Sequence, residues 1–149
     1  MTKGEIAKEY FEKGYNCAQA VALAFKDEIG LDEETIAKLT SSFGGGLARL
    51  REICGTISGG AFVLGILKGY ADPSDNKAKS EHYARVRELT SRFSEKCGSY
   101  ICRELLSGVV HTDGGAPEKR TSEYYKKRPC SELCLISADI VQDILDEGI

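Results

Sequence analysis

Apolar residues recur with a period close to 3.6 along almost the whole chain, and that pattern restricts it to packed helices. Ile6, Ala7, Tyr10 and Phe11 share one helical face, with Gly14 as the stop. Asn16 has the character of an N-cap for a second helix that turns Ala18, Val21, Ala22 and Phe25 inward and runs to about Gly30. Asp32 is placed to cap a third helix that gathers Ile36, Leu39 and Phe43 and is closed by Gly44-Gly45-Gly46. The stretch from Gly55 to Tyr70 is apolar without alternation, so a buried helix suits it better than a strand. Its glycines cost helix propensity, about 1 kcal/mol each against Ala, and are tolerable where another backbone or a cofactor approaches closely. A long helix over about 77–96 sets Tyr83, Val86, Leu89, Thr90 and Phe93 along one side, and a short one spans about 99–106. The segment 111–117 is a loop. Residues 121–127 make a turn or two of helix, and a last helix from near Pro129 carries Leu133, Ile136, Ile140, Val141, Ile144 and Leu145 on one stripe. The expectation is an all-α, single-domain bundle over residues 1–149, of about six to eight helices, with a central buried Gly-rich helix.

Charge narrows the partners. Twenty Lys+Arg against 23 Asp+Glu leave a net charge of −3, no excess with which to neutralise phosphates, so nucleic acid is not the expected partner. The longest uncharged stretch, 53–67, is broken by Cys, Thr, Ser and four glycines and falls short of a membrane span. The first eleven residues carry four charges and no apolar signal core, which makes a cytoplasmic location the expectation.

Six cysteines then stand out: Cys17, Cys54, Cys97, Cys102, Cys130 and Cys134. In a reducing compartment clustered cysteines serve as metal ligands, redox groups or small buried apolar residues. Cys17, Cys54 and Cys130 fall where helices should begin, and free N–H groups there favour thiolate. Cys102 is expected inside the short helix, and Cys130 and Cys134 share a face four residues apart. Compact metal motifs are missing: there is no C-x-x-C, Leu105 stands where a plant-type ferredoxin spacing from Cys97 and Cys102 needs Cys, and Ser137 stands where Cys130 and Cys134 would need a third. The glycines after Phe43 are followed by neither G-x-x-G nor G-K-[ST], which removes both nucleotide loops. Cysteines at long, irregular spacing act together only if folding gathers them.

The order Asn16-Cys17-Ala18, Phe43-Gly44-Gly45-Gly46, Cys54-Gly55-Thr56-Ile57-Ser58-Gly59-Gly60, Cys102, Cys130 resembles the C_GCAxxG_C_C family of redox-active proteins. Thr56 departs from the Ala of the family motif. The resemblance implies Cys17, Cys54, Cys102 and Cys130 as the shared site, with Gly55, Gly59, Cys97 and Cys134 as secondary neighbours. It is similar as well to the non-haem part of split-Soret cytochromes, and so implies electron transfer through an iron–sulfur cluster on those four cysteines, with a redox partner protein and, by analogy, a homodimer. Two other readings stay open: thiol–disulfide chemistry without metal, and a helical module built on a structural zinc. Arg49, Arg51 and Glu52 read as a solvated turn, with the other reading that a guanidinium there lowers a thiol pKa. His82 reads as a surface residue and His111 as a loop-edge ligand or proton donor of low rank. Tyr124-Tyr125-Lys126-Lys127-Arg128 forms a small basic, aromatic patch suited to an acidic redox partner.

Overall fold

The computed structural model describes residues 1–149, the side chain of Lys127 apart. Among the described residues it contains nine α-helices and one short 3₁₀ turn. These are α1 (Lys3–Glu12), α2 (Cys17–Leu23), α3 (Lys26–Ile29), α4 (Glu33–Thr40), α5 (Gly55–Lys68), α6 (Asn76–Cys97), α7 (Cys102–Leu105), α8 (Ser122–Lys127) and α9 (Cys130–Glu147), with the 3₁₀ turn at Ser41–Phe43 after α4. The fold is all-α, as the periodicity requires. No described helix is long and apolar enough to cross a membrane.

Local chemistry fixes the helix starts. Thr2 and Glu5 form a reciprocal capping box at α1, and Asn16 and Gln19 form another at α2. Asp32 accepts from the Thr35 amide at 2.7 Å to start α4, and Asp75 accepts from Ala78 at 3.0 Å to start α6. The single helix expected from Cys17 to Gly30 is two. The Phe25 amide bonds to the Ala22 carbonyl, three residues back, tightening the last turn of α2 as the Phe25 ring is buried.

Helix α2 is nearly all small residues and lies at the centre, packed on α1, α4, α5 and α9. The glycines of α5 make its approach feasible. A Cβ on Gly59 would stand 2.5 Å from the Ala18 carbonyl oxygen, and one on Gly55 3.1 Å from the Cys17 Cβ. Here the close neighbour is the α2 backbone. On α6 the buried face is His82, Leu89 and Phe93, while Tyr83 is exposed. His82, expected at the surface, thus faces the core, accompanied by Arg85 at 3.0 Å, and burial lowers its pKa.

Candidate functional site

The glycines after Phe43 do more than end a helix. Gly45, Gly46, Leu47, Ala48 and Arg49 all have positive φ, as does Arg51, so the chain makes a left-handed turn. For residues with a Cβ this costs about 1–2 kcal/mol each. Amides of Arg49, Arg51 and Glu52 repay part of it by donating back to Gly44, Gly45 and Gly46 at 3.2, 3.1 and 2.9 Å. Gly46 lies so close to Cys102 that a Cβ would stand 2.7 Å from the cysteine Cβ. Immediately after the turn, an isolated antiparallel bridge joins Ile53 to Ile101. Through it the Cys54 amide donates to Tyr100 O at 2.8 Å and the Cys102 amide to Glu52 O at 2.6 Å, setting the two cysteines side by side.

Four cysteines therefore stand at helix starts. Cys17, Cys102 and Cys130 are the first residues of α2, α7 and α9, and Cys54 is the N-cap of α5. Cys102 was expected inside its helix; the bridge at Ile101 delays the helix start to Cys102 itself. All four line one cavity of about 320 Å³, shared with Gly44, Gly45, Gly46 and Gly55. Gly59 lies outside it, against Ala18. The titration of the Cys17 thiol is influenced by the neighbouring Cys130, Cys134 and Cys54. Cys54 and Cys102 in turn interact with each other and with Cys130. Cys134 is fully buried behind the cavity wall, and Cys97, on the last turn of α6, lies away from it. Among the described residues no group of three or more His, Cys, Asp or Glu is arranged to hold a metal ion.

The expected thiolate stabilisation at helix starts is overturned. Burial pushes Cys54 up to about 12, against a 3.1 Å hydrogen-bonded contact with the Thr56 hydroxyl. Contact with Cys17, and then burial, drive Cys130 well above its ordinary value. The Cys130 contact pulls Cys17 down, but Cys134, burial and the neighbouring sulfurs outweigh it and leave Cys17 raised. Burial raises Cys102 while Arg51 opposes it. Desolvation of closely packed sulfurs exceeds what a helix end supplies.

Arg51 is not a solvated residue. Its side chain is 6% exposed; it donates to Thr112 O at 2.7 and 3.1 Å and points Nη1 at the Cys102 sulfur, 3.8 Å away. Sequence reasoning allowed a guanidinium near a thiol but placed it against Cys54. Arg49 clasps Thr112, Gly114 and Ala116 and pairs with Glu118 at 3.2 Å. Arg128 is buried and bonded to Glu118. Arg120 holds the carbonyls of Phe11 and Tyr15 at 2.7 and 2.8 Å. Four guanidiniums and a single carboxylate are thus the charged groups of the cavity wall. Of the aromatic, basic patch, Tyr124 and Arg128 belong to this wall, with the Arg128 guanidinium 4.9 Å from the Tyr124 ring centre; the Lys127 side chain lies outside the described residues. His111 is turned to Val109 O at 2.8 Å and does not line the cavity.

This is a helical protein organised around a cysteine-lined, guanidinium-rich cavity. The chain matches the family described as "Putative redox-active protein (C_GCAxxG_C_C)" over residues 15–144, and it belongs to that family. No curated protein and no solved structure matches it. Thr56, where the motif carries Ala, supplies the hydroxyl beside Cys54. Because that contact favours the Cys54 thiolate, Thr56→Val should shift the alkylation of Cys54 to higher pH, measured by iodoacetamide labelling and peptide mapping across a pH series. An unchanged profile would mean that the hydroxyl does not act on the thiol.

Proposed function

We propose that the chain is an electron-transfer protein whose redox centre is an iron–sulfur cluster held by Cys17, Cys54, Cys102 and Cys130. The observation that carries this reading is that the four cysteines, from four separate helix starts, line one cavity. A cluster occupies a volume and takes thiolates on different irons, whereas a single zinc draws four sulfurs around one centre. The donor set supports it too: four thiolates satisfy the ligand count of two-iron and four-iron clusters. Such a cluster supplies one-electron transfer. Arg51, Arg49, Arg120 and Arg128 offset the negative charge that four thiolates bring. The raised thiol pKa values mean that ligation must displace protons, so cluster assembly should be favoured as pH rises.

The test is iron content on protein purified without oxygen. About two or four irons per chain are expected, lost together in Cys54→Ser with helical circular dichroism retained. Protein free of iron and acid-labile sulfide, with all thiols intact, would overturn the reading. Cys17 and Cys130 line the same cavity and influence each other's titration, which favours a second reading, a dithiol that cycles to a disulfide without metal.

A further inference from the structure

Behind the four cavity cysteines stands a fifth that the family pattern does not include. Cys134 is one helical turn beyond Cys130 on α9, so both sulfurs face α2. Its side chain is fully buried and does not reach the cavity. Its sulfur nevertheless lies 4.0 Å from the Cys17 carbonyl oxygen, against the start of α2, and the two thiols influence each other's titration. A buried cysteine serving only as a small apolar residue meets hydrocarbon on every side. This one sits against the main chain of a second cysteine, and that cysteine lines the cavity and is partly exposed.

We propose that Cys134 is a resolving thiol for Cys17: an oxidant entering the cavity attaches to Cys17, and Cys134 closes a disulfide with it from behind. With a small disulfide such as oxidised glutathione, the Cys17 thiolate attacks one sulfur, forms a mixed disulfide and expels one glutathione thiolate. Cys134, as thiolate, then attacks the Cys17 sulfur, forms the Cys17–Cys134 bond and expels the second. The two protons lost by the cysteines are taken up by the two glutathione thiolates. Two protein thiols are oxidised by two electrons and one glutathione disulfide is reduced. The step uses cluster-free Cys17, so it does not rest on the iron reading.

The experiment uses the full chain, reduced, stripped of metal with a chelator and treated with oxidised glutathione, followed by peptide mapping. In Cys130→Ser, which removes the competing partner, a Cys17–Cys134 disulfide is expected with little retained glutathione. In Cys130→Ser/Cys134→Ala the adduct on Cys17 should persist, accumulating at least about tenfold more. Recovery of Cys134 as a free thiol in Cys130→Ser, beside a lasting adduct or an unmodified Cys17, overturns the proposal. Should circular dichroism show that variant unfolded, the wild-type map decides: a Cys17–Cys134 linkage supports the proposal, and its absence overturns it. Iron analysis is read separately, so failure of one conclusion leaves the other standing.

Discussion

Alanine introduced at two glycines of α5 should change stability in opposite directions. Gly59→Ala will destabilise the chain by about 2 kcal/mol, whereas Gly65→Ala, on the same helix, will stabilise it by about 0.5–1 kcal/mol. The helix-propensity gain is the same at both sites, about 1 kcal/mol. What differs is what the new methyl meets. At Gly65 nothing lies within 4 Å, so the propensity gain is kept. At Gly59 the methyl would stand 2.5 Å from the Ala18 carbonyl oxygen and 3.0 Å from its Cα, and the main chain of a helix's first turn cannot rotate aside as a side chain can. Helix α2 must move as a body, and it is packed on four other helices. For a chain of this size each kcal/mol shifts the melting temperature by about 2–4 °C. A fall of about 4–8 °C is expected for Gly59→Ala against a small rise for Gly65→Ala, read by thermal denaturation. Because α2 begins at Cys17 and α5 is capped by Cys54, displacement of the helices should also separate those sulfurs. Equal effects at the two positions would show that α2 and α5 do not approach as closely as Gly59 requires.

That contrast marks what the amino-acid sequence discloses. The helices, the Asn16 and Asp32 caps and the place of α5 follow from periodicity and capping chemistry, which act within a few residues. That glycines in α5 let another element approach was also legible, because a buried helix tolerates them for little else. Which element approaches was not: Ala18 is forty-one positions away, and only the packed fold brings it there. The grouping of Cys17, Cys54, Cys102 and Cys130 came from the order of motifs, since their spacings contain no local signal. Arg51 was missed for a related reason. Its backbone is left-handed and its guanidinium is stabilised by Thr112, sixty-one positions on, so a charged residue beside glycines had the pattern of a solvated turn. Cys134 could be placed on the face of the last helix that carries Cys130, but its contact with the Cys17 carbonyl depends on how α9 meets α2. The thiol pKa values went against expectation because helix starts are local and desolvation is not.

Glu118→Gln should weaken the wall of the cavity, by about 2–3 kcal/mol at neutral pH, and the loss should vanish in acid. Burial opposes ionisation of this carboxyl, yet the Thr112 amide at 3.0 Å and the Arg128 guanidinium outweigh it and hold its pKa down at about 2. Arg49 at 3.2 Å and Arg51 at 3.8 Å add to the pairing. A carboxyl at about 4.3 in the unfolded chain and about 2 in the folded one contributes its full stability above the unfolded value. That stability is lost as pH falls through this interval, where the folded group takes up its proton last. The wild type and Glu118→Gln should therefore differ most at pH 7 and converge near pH 2, measured by urea denaturation across the series. The amide keeps the size and some hydrogen bonding but faces three guanidiniums without a charge, so the segment 112–118 should be cut sooner in limited proteolysis at neutral pH. Arg51 spans both functions, holding Thr112 and facing the Cys102 sulfur. Release of that segment should accordingly speed alkylation of Cys102 in the variant. A stability gap that stays constant from pH 7 to pH 2 would show that the ionised carboxylate is not what binds the wall together.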